Sequence, residues 1–440
     1  MKYRIIKPRN MTAEIRIPAS KSISGRALIL NAITGAPPGL VSNISDCDDT
    51  TVTMEALFLL DMERREGAAC MMPPKVNVRA AGTAMRFLTA LFAITPGTHT
   101  LTGTDRLCHR PIGILVEALR TMGAEIEYLG EEGFPPLRIT GKKLRGGTLQ
   151  LAGNVSSQFI SALLMIAPCL SSDLTLQLTG DIVSLPYINM TVAMMREHGA
   201  TVKWVDDHTL HVKAKRYRPT PYTIESDWSA ASYWYEMVLL SDNPDETATL
   251  KGLFKKSLQG DSAVYEMFHA LSVQSLFLSS RTDEPKVTLI RRGSLPDYVE
   301  WDFTATPDLA QTMVVTCAMK GIPFCFSGLQ SLRIKETDRI AALVTELAKL
   351  GVRLEVEGDS IIRWAGPDAQ PEGEIPYLQP LPDTAIDTYE DHRMAMAFAP
   401  AAMVLGSIDI NNPEVVSKSY PRFWDDLKQV GFEIVESQRS

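Results

Sequence analysis

The chain has 440 residues, with 44 Lys and Arg against 52 Asp and Glu and a net charge of −8. That length allows two or three domains of roughly 150 residues, and 45% hydrophobic with 22% charged residues is globular rather than disordered composition. The acidic balance speaks against a general binder of nucleic acid or anionic membrane, because phosphate surfaces reward a basic excess.

The first 21 residues are charged throughout and hold no apolar segment, so no signal peptide is expected. Ser20-Lys21-Ser22 then opens a helix with Ile23, Ala27, Leu28 and Leu30 apolar and Arg26 within its first two turns. Ala81-Gly82-Thr83 opens another over Met85 to Phe92, and Ser156-Ser157-Gln158 opens Phe159 to Ala167, apolar nearly all round and therefore buried. The stretch around His208 and His211 reads as a turn plus a strand, and no shared metal is expected. Tyr217 to Tyr222, with Pro219 and Pro221, reads as an extended crossover. Lys335-Glu336-Thr337-Asp338-Arg339 is expected to open a helix whose apolar face is Ile340, Leu343, Val344, Leu347 and Leu350. Gly366 to Pro382 reads as a surface loop, and Asp391-His392-Arg393 opens Met394 to Phe398. The longest apolar run, Met394 to Leu405, contains Pro400 and is too short to cross a bilayer; a soluble chain is expected. Six scattered cysteines without a C-x-x-C pair, Cys70 among them, suit buried thiols in a reducing cytoplasm.

One phrase recurs: a helix ending in an apolar residue, three variable residues and a glycine, then a short strand. It occurs at Leu119–Gly123, Met195–Gly199, Leu347–Gly351 and Leu427–Gly431. The glycine suits the left-handed residue that ends a helix. Spacings of 76, 152 and 80 residues between these glycines predict a degenerate copy near Phe268–Val273, and an imperfect one at Met54–Asp61. Six α/β units of about 70–80 residues follow, three on each side of the crossover.

The helix starts share an unusual chemistry. Lys21, Lys335, Arg339 and Arg393 are expected in first turns, where the helix dipole disfavours cations. A bound anion would resolve the conflict, since free amides, dipole and cation then face one negative charge. Small, multiply charged substrates are expected. No P-loop and no G-x-S-x-G elbow occurs.

The phrases P-A-S-K-S-I-S-G-R-A-L (Pro18–Leu28), S-D-C-D-D-T (Ser45–Thr50), A-G-T-A-M-R-F-L (Ala81–Leu88) and R-P-I-G-I-L-V-E-A-L (Arg110–Leu119) come in this order. S-S-Q-F-I-S-A-L-L-M (Ser156–Met165), L-P-Y-I-N-M-T (Leu185–Thr191), S-L-Q-G-D (Ser257–Asp261), L-R-I-K-E-T-D-R (Leu332–Arg339) and Y-E-D-H-R-M-A-M (Tyr389–Met396) follow. With these phrases the chain resembles the 5-enolpyruvylshikimate-3-phosphate synthase family over nearly its whole length.

The resemblance implies the two-domain enolpyruvyl transferase fold, α/β, each domain three repeated βαβαββ units with helices inside and sheets outside. It implies a discontinuous domain of residues 1–19 plus 226–440, an inserted domain of 20–225, and an active site in the cleft between them. The implied reaction moves the carboxyvinyl group of phosphoenolpyruvate to the 5-hydroxyl of shikimate 3-phosphate and releases phosphate. No cofactor or metal is implied; the two substrates are the partners, with no nucleic acid or membrane, in a cytoplasmic monomer.

By position in the matching phrases, Ser156, Ser157 and Ser184 would hold the 3-phosphate. Lys21, Ser22, Arg26, Tyr187, Ser331 and Lys335 would also line the shikimate ligand. Lys21, Gly82, Arg110, Gln158, Arg339, His392, Arg393 and Lys418 would surround phosphoenolpyruvate. Asp308, also beside the shikimate ligand, matches the proton acceptor and Glu336 the donor, with Lys21 counted beside them as catalytic. Addition needs a base for the hydroxyl and an acid for the methylene carbon, and elimination reverses both transfers. The family's common Asn is Ala80 here, its frequent Asn is Ser331, and Leu107-Cys108-His109 replaces charged residues. The alternative is a UDP-N-acetylglucosamine enolpyruvyl transferase, for which Cys108 would be the reactive thiol.

Overall fold

The computed structural model describes residues 1–66, 75–278, 284–369 and 375–437. The chain divides into two compact units, Ala19–Ile224 and the discontinuous Met1–Pro18 with Glu225–Ser440. In each, apolar helices run through the core. Gly82–Ile94 and Ser157–Ile166 run through the first unit, and Trp228–Leu240 and Ala310–Lys320 through the second, with nearly every residue inside. The strands alternate instead. Thr12–Arg16 and Thr247–Lys251 bury every second side chain, the pattern of a sheet with one face on the core and one towards water.

Among the described residues, five four-stranded sheets share one topology. The first two strands pair in parallel, and the fourth lies antiparallel between the second and third. Lys75–Asn77, Gly97–Thr102, Glu125–Tyr128 and Leu137–Gly141 form one such sheet of the Ala19–Ile224 unit. Gly147–Ala152, Leu174–Thr179, Val202–Asp206 and Thr209–Val212 form another. Val41–Ser42 and Tyr222–Thr223 add a short parallel pair.

Two sheets of the discontinuous unit borrow from the start of the chain. Lys2–Ile6 is the fourth strand between Ser407–Asn411 and Glu433–Ser437. Thr12–Arg16 is the first strand beside Thr247–Lys251, so the whole Ala19–Ile224 unit interrupts one β–α–β repeat.

The recurring phrase is a Schellman ending, in which the residue after glycine donates back five residues. Ala124 donates to Leu119, Ala200 to Met195, Val352 to Leu347 and Phe432 to Leu427. The glycines have φ of 97, 86, 72 and 98°. Ser272 takes the same left-handed place, φ 68°, in the expected degenerate copy. A further ending, at Cys317–Ile322 around Gly321, falls off the even spacing. The copy expected at Met54–Asp61 is wrong: helix Asp48–Glu66 runs straight through it, because no glycine interrupts the hydrogen-bond ladder. His208 lies in the turn before strand Thr209–Val212, while His211 is on the strand beside Thr175 and Asp173. Cys70 lies outside the described residues; the other five cysteines are free thiols.

Candidate active site

In the Ala19–Ile224 unit, four helix starts bring the expected residues into one neighbourhood. Ser20 caps helix Lys21–Thr34, which makes Lys21 its first residue. Ser156 caps helix Ser157–Ile166 by accepting from the Gln158 amide at 3.4 Å. Gln158 then donates to Thr83 Oγ1 at 3.1 Å, tying that start to helix Gly82–Ile94. Thr83 and Lys21 share the lining of a small cavity with Asp49 and Thr53. Gly82 leaves the space used by two cations. A Cβ there would come within 2.5 Å of Arg86 Nη1 and 2.7 Å of Arg110 Nη1.

Arg26 is the joint of this half. It is buried, and four of its five N–H donors go to Thr191 Oγ1, the Ser22 carbonyl, Ser161 Oγ and the Tyr187 carbonyl, at 2.7 to 3.3 Å. Burial pushes its pKa down to about 10. Ser184, at the start of helix Leu185–Glu197, has φ 55°, a left-handed conformation that serine rarely adopts. Its carbonyl accepts from the Tyr187 amide at 3.0 Å, so Ser184 and Tyr187 are fixed together. Thr191 and Ser161, both inside quoted phrases, carry no role in the sequence reading yet hold Arg26 in place.

In the discontinuous unit, the centre is Arg339, 1% exposed. Its Nε donates to Asp391 Oδ2 at 2.7 Å, Nη1 to Asp308 Oδ1 at 3.0 Å and Nη2 to Glu336 Oε2 at 2.8 Å. Burial by itself would lower the Arg339 pKa, but Asp391, Glu336 and Asp308 together hold it above its ordinary value. Arg393 Nη2 meets Asp308 Oδ2 at 3.0 Å, and Lys335 Nζ lies 3.6 Å from Asp308 Oδ1. Three cations therefore converge on one carboxylate that keeps 19% of its side chain exposed. His392 is buried, its Nδ1 3.7 Å from Asp391 Oδ1. Lys418 Nζ donates to the Glu390 carbonyl at 2.7 Å, and Ser331 lies on the short 3-10 turn Gln330–Ile334 that leads into Lys335.

The start of helix Arg339–Ala348 differs from the sequence expectation. Lys335 is not in a first helical turn, because Asp338 is extended and caps the Ala341 amide at 3.0 Å, starting the helix at Arg339. The conflict between the Arg339 cation and the helix dipole is met within the chain, by three carboxylates. Asp391 and Asp261 are the main residues the sequence reading passed over. Asp391 caps the Arg393 amide at 2.9 Å while gripping Arg339. Asp261 is buried, accepts from Ser229, and feels both Asp308 and Arg393. Both lie in phrases already singled out, D-H-R and S-L-Q-G-D, but as a helix cap and a loop acid they looked ordinary.

The sequence profile of the EPSP synthase (3-phosphoshikimate 1-carboxyvinyltransferase) family matches residues 5–427. The chain belongs to this family. Among EPSP synthase relatives, a 3-phosphoshikimate 1-carboxyvinyltransferase of Bacteroides fragilis is 51% identical over 434 residues, 99% of each chain. One of Photobacterium profundum is 35% identical over 96% of each chain. The fold is that of a solved EPSP synthase from Acinetobacter baumannii, with a TM-score of 0.76, 21% identity and coverage of 99% of this chain and 100% of that one. The EPSP synthase phrases of the sequence fall on both clusters: A-G-T-A-M-R on the Gly82–Arg110 space, L-R-I-K-E-T-D-R and D-H-R on the Arg339 network.

Proposed function

We propose that the protein is a 3-phosphoshikimate 1-carboxyvinyltransferase, and that the two clusters serve one reaction. The single observation that carries this reading is Asp308 held by Arg339, Arg393 and Lys335 beside Glu336, inside a chain of that family. Two carboxylates among fixed cations suit a reaction that moves one proton off oxygen and another onto carbon between two anionic substrates.

In the addition step, Asp308 takes the proton of the 5-hydroxyl as its oxygen bonds to C2 of phosphoenolpyruvate, and Glu336 gives a proton to C3. In the elimination step, C3 returns a proton to Glu336 and Asp308 gives its proton to the departing phosphate as the C2–O bond breaks, leaving the carboxyvinyl ether and free phosphate. Lys21, Arg110, Arg339, Arg393 and Lys418, with Gln158, His392 and the space at Gly82, neutralise and orient phosphoenolpyruvate. Ser156, Ser157 and Ser184 hold the 3-phosphate, while Lys21, Ser22, Arg26, Tyr187, Ser331, Lys335 and Asp308 line the rest of the shikimate ligand. Ser184's left-handed backbone is consistent with such a task, since strain of this kind collects at ligand sites.

The sugar-nucleotide alternative is not favoured, because the curated relatives at 34–51% identity carry the shikimate-branch name. No described helix is long and apolar enough to cross a membrane. We infer a monomer, which light scattering of the purified chain tests, and a cytoplasmic location, which fractionation of the source cells tests. The deciding assay is phosphate release with phosphoenolpyruvate and shikimate 3-phosphate, singly and together. Release only with both is expected; release with phosphoenolpyruvate and a UDP-sugar instead would overturn the assignment.

A further inference from the structure

Two consecutive non-glycine residues, Tyr389 and Glu390, are left-handed, with φ of 52 and 56°. L side chains visit this region singly and reluctantly, so a pair of them persists only where neighbours force it. Both are gripped. Tyr389 Oη donates to Glu346 Oε1 at 2.6 Å, and Lys418 Nζ donates to the Glu390 carbonyl at 2.7 Å.

Glu346 is fully buried and fully engaged. Its Oε2 accepts from the Asp387 amide at 3.0 Å and meets Lys349 Nζ at 2.6 Å. Lys349 also donates to the Ala385 carbonyl at 3.0 Å and meets Asp387 Oδ2 at 3.2 Å, while Asn411 holds Asp387 Oδ1 at 2.9 Å. Glu346 sits seven residues after Arg339 on helix Arg339–Ala348, hence on the same face. One helix face therefore holds the loop twice. Arg339 binds Asp391 just after the strained pair, and Glu346 binds Asp387 and Tyr389 before and within it.

We propose that Glu346 and Tyr389 are positioning residues for the reaction: their hydrogen bond fixes the left-handed turn that aims Asp391 at Arg339 and at the amide of Arg393. The inference rests on the functional reading above. Neither residue touches substrate; both act through Asp391, which orients the two arginines assigned to phosphoenolpyruvate.

The test compares Tyr389→Phe with Tyr377→Phe in the full chain. Tyr377 Oη donates to the Ala318 carbonyl at 2.7 Å in the same unit, so its loss controls for a plain structural hydrogen bond. In Tyr389→Phe, KM for phosphoenolpyruvate should rise about tenfold, as expected for one lost hydrogen bond to a charged group. KM for shikimate 3-phosphate should stay within about twofold, and Tyr377→Phe should move neither constant even if its melting temperature falls as far. Glu346→Gln should follow Tyr389→Phe. An unchanged phosphoenolpyruvate KM in Tyr389→Phe, or an equal rise in Tyr377→Phe, refutes the positioning role while the parent enzyme still turns over. A parent chain that releases no phosphate with both substrates refutes the functional reading, and this inference with it.

Discussion

Arg339 and Asp391, 52 residues apart in the chain and both buried, face each other through two hydrogen bonds of 2.7 and 3.4 Å. The pair joins the start of one helix to the cap of another, and it leaves Nη1 and the second hydrogen of Nη2 to reach Asp308 and Glu336. A guanidinium can make this planar, multi-armed contact; an ammonium cannot. Arg339→Lys should therefore keep the charge and lose the geometry, with turnover falling about 100-fold or more. Arg339→Met takes a guanidinium from three carboxylates, the fully buried Asp391 among them, and should destabilise the unit by about 3–5 kcal/mol. Steady-state rates and urea midpoints measure the two effects separately, and a lysine variant with parental turnover would contradict the geometric argument.

Asp308 and Glu336 are assigned opposite proton transfers. Asp308→Asn and Glu336→Gln should each slow a single turnover by about 10²- to 10⁴-fold, the usual worth of general acid–base catalysis. Rapid-quench measurements over a pH series report this directly. An unchanged Glu336→Gln rate would remove Glu336 from the acid role.

Gly82 has no room for a side chain. A methyl group would press on the Arg110 and Arg86 guanidiniums, whose far ends can shift, so folding should survive with a melting temperature near that of the parent. With Arg110 proposed to hold phosphoenolpyruvate, its displacement should raise the KM for that substrate roughly tenfold or more. Parental KM in Gly82→Ala would mean that the arginines do not need that space.

Asp261 carries a pH dependence of defined sign. Burial, then Asp308, push its carboxyl from 3.8 up to about 6. Between about pH 4 and 6 the folded chain thus holds a proton that the unfolded chain has lost, so stability falls as pH rises through this window and then levels off. The total is on the order of 3 kcal/mol for a shift of about two units. In Asp261→Asn, a neutral isostere, this contribution to the slope should be lost. Denaturant melts of both chains at pH 4, 5, 6 and 7 decide it; parallel curves would disprove the role given to the carboxyl.

Much of the fold is written locally. The Schellman endings at Gly123, Gly199, Gly351 and Gly431 follow from chain-neighbour geometry, as do the all-round apolar helix Ser157–Ile166 and the caps Ser20, Ser156 and Asp391. These depend on residues within five positions, so the sequence alone determines them, and the matching phrases carry the family. The sequence could not say which acid each cation serves. Arg339 meets carboxylates 31 and 52 positions away, and Arg26 meets hydroxyls 135 and 165 positions away. Nor could it say that Asp338 rather than an earlier residue would start the helix, or that Glu346 would hold Tyr389. Such contacts exist only once distant helices are packed together, because their energy depends on distance and burial that no local pattern encodes.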